Sequence, residues 1–165
     1  MTETTVYLSL GSNVGEREGN LRAAIAALPS AGVRVTCVSS VYETEPVDFL
    51  DQAWFLNCAL EGITKVPALK LLRALRGIEM RMGSRKLVAK GPRLIDMDIL
   101  LYGSDTLDTQ ELQVPHPRMH LRRFVLVPLA EITADVLHPV LKKTARQLLE
   151  QTPDRSVVRR FVSAK

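Results

Sequence analysis

The run Gly91-Pro92-Arg93-Leu94-Ile95-Asp96-Met97-Asp98-Ile99-Leu100 constrains this chain more than any other segment. It reads as a strand, in which successive side chains point to opposite faces. Ile95, Met97, Ile99 and Leu101 then share one face, wholly apolar and so expected in a core. Leu94, Asp96, Asp98, Leu100 and Tyr102 share the other. Two ionised carboxylates ~7 Å apart on one face repel by roughly 2 kcal/mol at an effective dielectric of about 20. Positive charge must offset that. Arg93 could supply some of it, but hard divalent cations bridging to a polyphosphate are the sharper explanation. The alternative is a pair of solvated acids on an open strand. The apolar flanks and the basic loop before the strand weigh against it.

The rest of the composition sets bounds. The 165 residues are read as a single domain, 1–165, long enough to build a core without staples. The 46% hydrophobic and 24% charged residues are ordinary for a globular protein and argue against disorder. The net charge of +4 permits an anionic partner without choosing among nucleotide, nucleic acid and membrane. The basic residues cluster in 73–93 and 118–123, between apolar segments, and are read as lining a site rather than as a nucleic-acid arm. Solvated helix faces are the alternative. Cys37 and Cys58 each fall in a strand-like run and are expected to be small buried side chains, not a disulfide or metal pair. There is no N-terminal signal pattern and no apolar stretch of about 18–20 residues, so a cytoplasmic, soluble chain is expected.

Along the chain, residues 6–10 form a strand entering a Gly11-Ser12-Asn13 turn. Leu21, Ala24, Ile25 and Leu28 follow helical spacing up to Pro29–Gly32. A strand is expected from Val33 to about Tyr42, a loop over 43–53, and a strand over 55–63. Pro67 suits the first turn of a helix whose stripe is Leu71, Leu72, Leu75, Ile78 and Met82, with Gly83 as its stop. Arg73, Arg76 and Glu79 lie on another flank of that helix. Residues 84–92 are a basic loop. Helices are expected over 124–132 and 144–151, and a last strand within 157–162. Neighbouring strand pairs favour an antiparallel α+β sandwich over a parallel doubly wound sheet.

Three neighbourhoods look site-like. In the first, Arg85, Lys86, Lys90 and Arg93 surround the aspartates and could hold phosphate oxygens. In the second, Pro115 and Pro117 hold His116 in a stiff segment where it could donate to a phosphate, with Arg122 nearby to neutralise charge. The His116–His120 spacing is that of a metal pair on a helix, but Pro117 argues against a helix there. His120 and His138 are read as surface or packing residues. In the third, residues 42–46 and Phe55-Leu56-Asn57 offer an aromatic face and an amide, suited to a flat heterocycle with donors and acceptors along its edge.

Taken together, Gly11-Ser12-Asn13, Tyr42-x-Thr44-x-Pro46, Phe55-x-Asn57, Glu79, Gly91-Pro92-Arg93-x-x-Asp96-x-Asp98, Val114-Pro115-His116 and Arg122-x-Phe124-Val125-Leu126 make the chain resemble the hydroxymethyl-dihydropterin pyrophosphokinases of folate synthesis. The resemblance spans residues 6–130. It implies a ferredoxin-like, three-layer α/β/α sandwich with a mostly antiparallel central sheet. It implies transfer of pyrophosphate from ATP to 6-hydroxymethyl-7,8-dihydropterin, releasing AMP. A cytoplasmic monomer with no nucleic-acid or membrane partner is expected. Asp96 and Asp98 would hold two Mg2+ ions, and Asp96, Asp98, Arg85, Arg93 and His116 would form the catalytic set. Glu79, Arg85, Lys86, Arg93, Ile99, His116 and Arg122 would bind nucleotide. Thr44, Glu45, Pro46, Val47, Phe55, Asn57, Asp96 and Phe124 would bind the pterin, with the two phenylalanines sandwiching it.

The chain departs from that pattern at Ser84 and Lys90, where an arginine and a tryptophan are usual, and at Pro117 in place of an aromatic. None of these touches the acidic pair, so altered rates rather than lost chemistry are expected. The strongest rival is an RNA-binding ferredoxin-like sheet. It would need stacked sheet aromatics in a motif absent here, and paired aspartates would repel its phosphates. A pterin-binding relative without catalysis is a third reading.

Overall fold

Strand β1 (Thr4–Ser12) is buried along both faces from Val6 onward, as befits a strand in the middle of a sheet. The computed structural model describes residues 2–47, 50–83 and 92–163. Among these, helix α1 (Arg17–Ala27) and a 3-10 turn (Leu28–Ala31) lead to β2 (Val33–Val38), β3 (Tyr42–Thr44) and β4 (Phe55–Thr64). Helix α2 (Ala68–Arg81) leads to β5 (Asp96–Tyr102), a small β6–β7 pair (Leu107–Asp108, Gln113–Val114), α3 (Arg123–Thr133), α4 (Ala145–Gln151) and β8 (Val158–Arg160). The sheet order is β5-β1-β4-β3-β8, with β2 also on β4, and every pairing is antiparallel.

If β2 and β3 are counted as one interrupted strand, this is the ferredoxin-like arrangement the sequence implied. The expected single strand from Val33 to Tyr42 is broken. Ser39 makes the joint: its N–H donates to the Ala59 carbonyl at 2.9 Å, and its hydroxyl accepts from the Ala59 N–H at 2.9 Å. The expected loop also starts later, because Glu43 and Thr44 pair with Leu56 and Phe55. Gly11 and Ser12 belong to β1 rather than to a turn, since Gly11 pairs with both Asn57 and Asp96.

Two bulges correct the reading of faces. Leu8 pairs with Ile99 and Tyr7 with Leu101, leaving Leu100 as an extra residue in β5. One inserted residue shifts all later side chains by one face. Ile95, Met97 and Ile99 therefore fill the core as expected, but beyond Leu100 the pattern inverts: Tyr102 joins that core and Leu101 the opposite one. In β2 the register slips between Val35 and Cys37, and Cys37 is exposed rather than buried; Cys58 is buried as expected.

One face of the sheet is covered by α1 and α2. Leu21, Ala24, Leu71, Leu75 and Ile78 pack there on Val6, Leu8, Leu10, Leu56, Cys58 and Leu60. The stripe on α2 is the one its spacing implied, with Pro67 just before the helix and Gly83, at φ +91°, just past its end. The other face carries α3 and α4, whose Val125, Leu129 and Ala145 pack on Tyr7, Ala59, Leu100 and Leu101. No described helix is long and apolar enough to cross a membrane.

Candidate active site

Among the described residues, helices cover about half the length of the sheet face beneath α3. On β1, β4 and β5 the side chains continue in register past Tyr7, Ala59 and Leu100 to Ser9, Gly11, Asn57, Phe55, Asp98 and Asp96. Those residues line a cavity of about 410 Å³. Asp98 lies beside Ser9 and Asp96 beside Gly11, so the predicted carboxylate pair does share one face and opens onto the cavity.

The acidic side is held from α2. The Arg76 guanidinium donates through Nη1 to the Glu79 carboxylate at 2.8 Å and to the Met97 carbonyl at 2.7 Å, and its Nη2 lies 3.6 Å from Asp98 Oδ1. Glu79 also accepts from the Met97 N–H at 2.7 Å. Burial raises the Glu79 carboxyl above the usual range, with the charge of Asp96 adding to it, although Arg76 and the Met97 N–H pull the other way. Glu79 thus stands one hydrogen bond behind the cavity wall. Arg76 lines the wall itself, a role that its place on a helix flank does not announce. Its spacing of three from Glu79 was the available signal, since such residues meet on one helix face.

Arg93, Arg122 and His116 line the basic side. Arg93 is buried, and its backbone is clamped by Asn13: the Arg93 N–H donates to Asn13 Oδ1 at 2.7 Å, and the Asn13 N–H to the Arg93 carbonyl at 2.9 Å. The Asn13 amide also donates to Gln52 Oε1 at 2.8 Å and the Ala53 carbonyl at 2.9 Å. Asn13 therefore ties together three segments that reach the cavity. In His116, Nδ1 accepts from the Arg118 N–H at 3.1 Å, which leaves Nε2–H as the ring's donor. Burial, followed by Arg122, Arg118 and Arg76, pushes His116 down to about 4. The ring is neutral at neutral pH.

The far end of the cavity is apolar with an embedded amide. Phe55, Phe124, Pro46 and Val47 line it, with Thr44, Glu45, Gln52 and Asn57 as polar members. Asn57 is buried; its Oδ1 accepts from the Thr44 hydroxyl and its Nδ2 lies 3.5 Å from the Leu10 carbonyl. A Cβ on Gly11 would come within 2.5 Å of that Nδ2, so the glycine makes room for the amide. The Arg122 guanidinium sits 5.5 Å over the Phe124 ring, where the ring's negative face favours it. The Glu45 carboxylate accepts from the Val157 N–H at 2.7 Å, binding this wall to the segment that enters β8.

Two of the expected positions do not reach the cavity with their side chains. Ile99 is a core residue, so only its backbone can serve a ligand. Glu79 acts through Arg76 and Met97, as above. Arg85 and Lys86, with Ser84 and Lys90, lie outside the described residues.

The donor set fits a hard cation shared with a ligand. Asp96 and Asp98 offer carboxylate oxygens, and among the described residues no cluster of three or more His, Cys, Asp or Glu surrounds them. Magnesium is commonly held by one or two carboxylates plus phosphate oxygens and water, rather than by an all-protein cage.

The chain has relatives among known proteins. Residues 7–134 match the family 7,8-dihydro-6-hydroxymethylpterin-pyrophosphokinase. The chain is 50% identical over 131 residues to the Bacillus subtilis 2-amino-4-hydroxy-6-hydroxymethyldihydropteridine pyrophosphokinase, covering 79% of this chain and 78% of that one. It is 38% identical over 143 residues to the Aquifex aeolicus protein of the same name, covering 87% and 89%. A crystal structure of a Plasmodium falciparum HPPK-DHPS triple mutant with pteroate superposes with a TM-score of 0.72 at 17% identity, over 91% of this chain. This chain spans only 43% of that longer one, and the likeness speaks to the fold alone.

Proposed function

This chain belongs to the 7,8-dihydro-6-hydroxymethylpterin-pyrophosphokinase family, and we propose on that footing which of its residues carry the reaction. The reaction is pyrophosphoryl transfer from ATP to the hydroxymethyl group of 6-hydroxymethyl-7,8-dihydropterin, a step of folate synthesis. The single observation that carries the assignment is the open half of the sheet face, where paired aspartates, an embedded amide and two phenylalanines share one cavity.

Asp96 and Asp98 would hold Mg2+, two ions on this reading, and the metal would supply charge neutralisation to the triphosphate and its attacked β-phosphorus. Arg93 and Arg122 bind phosphate oxygens, and His116 donates its Nε2–H to one of them. A neutral imidazole suits that role, because it donates without adding a positive charge that would repel the cations. Arg85 and Lys86 complete the nucleotide side. Phe55 and Phe124 sandwich the pterin while Asn57, Thr44 and the backbone over 44–47 read its edge. Asn57 Nδ2 carries two hydrogens, of which one reaches the Leu10 carbonyl and the other can serve the ligand, while its oxygen accepts from Thr44. The alcohol and the triphosphate meet over Asp96, and the protein's contribution is chiefly orientation and charge stabilisation. The same reading has a single-domain monomer acting in the cytoplasm on two small substrates.

The test is AMP release from ATP, with and without the reduced hydroxymethylpterin and with and without magnesium. AMP that requires both additions supports the reading. AMP formed equally well in the presence of a chelator would sink the metal assignment.

A further inference from the structure

Arg76 is a cation built into the acidic side before any ligand arrives. Its Nη1 is fixed by two acceptors, Glu79 and the Met97 carbonyl, at 2.8 and 2.7 Å. Its Nη2 is 3.6 Å from Asp98, too long for a hydrogen bond but well within electrostatic reach. A guanidinium stays charged at any working pH. One edge of the fork is therefore anchored, while the other shares charge with a carboxylate and can give it up without breaking a hydrogen bond.

We infer that Arg76 is a resident counter-charge for the Asp96/Asp98 pair and becomes a triphosphate-binding group once Asp98 has taken a cation. The inference rests on the metal role proposed for those aspartates. Arg76 competes with a metal ion for Asp98 when no nucleotide is present. When Asp98 turns to the ion, the Nη2 edge is left facing the cavity, where phosphate oxygens match its planar fork. Helix α2 and Glu79 keep the guanidinium in place throughout, so it needs little movement to change partners.

The two halves of this role predict effects of opposite sign. Mn2+ serves as the metal probe, its free concentration read from its electron paramagnetic resonance signal. Arg76→Gln is expected to bind Mn2+ alone about three- to tenfold more tightly than the unaltered chain, because a competing charge has gone. The same variant is expected to bind a non-hydrolysable ATP analogue with Mg2+ about tenfold more weakly by calorimetry, because a charge-assisted contact has gone. Arg76→Lys keeps the charge and loses the fork. It should leave Mn2+ binding near the original value while releasing the analogue about threefold more readily.

A merely structural residue would weaken both ligands together. Unchanged Mn2+ affinity in Arg76→Gln, or parallel losses of both ligands, would overturn the inference. If Arg76→Gln does not fold, Arg76→Lys decides: parallel losses there overturn it, and loss of the analogue alone supports it. An unaltered chain that binds no Mn2+ even with the analogue would remove the metal reading, and this inference with it. An unaltered chain that binds Mn2+ beside an indifferent Arg76→Gln would remove this inference only.

Discussion

The face of the sheet under α3 has two halves that share strands, register and direction but differ in what lies on top. Where α3 and α4 cover it, the residues are Tyr7, Ala59, Leu100 and Leu101, and they are buried. Where no described helix covers it, the same strands present Ser9, Gly11, Asn57, Asp96 and Asp98 to a cavity. The strand geometry is indifferent to this change; the covering helix decides which chemistry is tolerated. An apolar residue in the covered half gains from burial, whereas a carboxylate there would lack the partners that burial demands. In the open half that cost is offset by solvent, by Arg76, and by whatever charged ligand binds.

The contrast is broken most directly by exchanging its consequences. Asp98→Ala in the open half should lower turnover by about 10³-fold or more, since phosphoryl transfer depends on charge stabilisation. Its urea midpoint should remain near the original. Turnover within tenfold of the unaltered enzyme would contradict the division. Leu129→Ala in α3, where the side chain is fully buried, should behave conversely. It should cost about 2–5 kcal/mol of stability from the cavity it leaves, with turnover largely kept at a temperature where the variant is folded.

Asn57 tests the boundary between the halves, being buried yet facing the cavity. Asn57→Ala strands the Thr44 hydroxyl without its acceptor and should weaken pterin binding by about 1–3 kcal/mol, with nucleotide binding unchanged. Equal losses for both ligands, measured by calorimetry, would mean that the amide holds the sheet rather than reads the ligand.

His116 sharpens the comparison with the smallest effect. It belongs to the open half but titrates as a buried residue, at about 4 instead of the ordinary 6.5, chiefly through desolvation. As pH falls, the unfolded chain takes up this proton first. The stability His116 contributes is therefore complete above about 6.5 and drains away between 6.5 and 4. His116→Asn should flatten the decline of unfolding free energy across that window. A slope identical to the original would show that the ring is solvated.

Much of this division was legible in the chain. The apolar alternation of 95–99, the α2 stripe and the carboxylate pair were all read from spacing, because strand and helix periods fix which residues share a face. The inversion after Leu100 was not legible, nor was the outward turn of Cys37. Each follows from one unpaired residue in a ladder, set by how two distant strands align, and no local pattern announces it. Arg76 is illegible in the chain for a related reason. On its helix it looks like any solvent-facing basic residue, and only the approach of β5 gives it Met97 and Asp98 as neighbours. The Asn13 clamp was visible only as a motif, since its partners lie 39 and 80 residues away.

The Arg76 and Glu79 contacts to Met97 have a further consequence. Strand β5 ends the sheet order, so among the described residues one side of its backbone has no strand neighbour within the sheet. Such a rim offers a template on which another chain can add a strand and begin to aggregate. Here the Met97 amide is taken by Glu79, its carbonyl by Arg76, and the Leu100 carbonyl by the His116 N–H. The residues that set the charge around the acidic pair also plug the sheet's open rim. Stripping them would make the protein prone to stick to itself as well as slower to act.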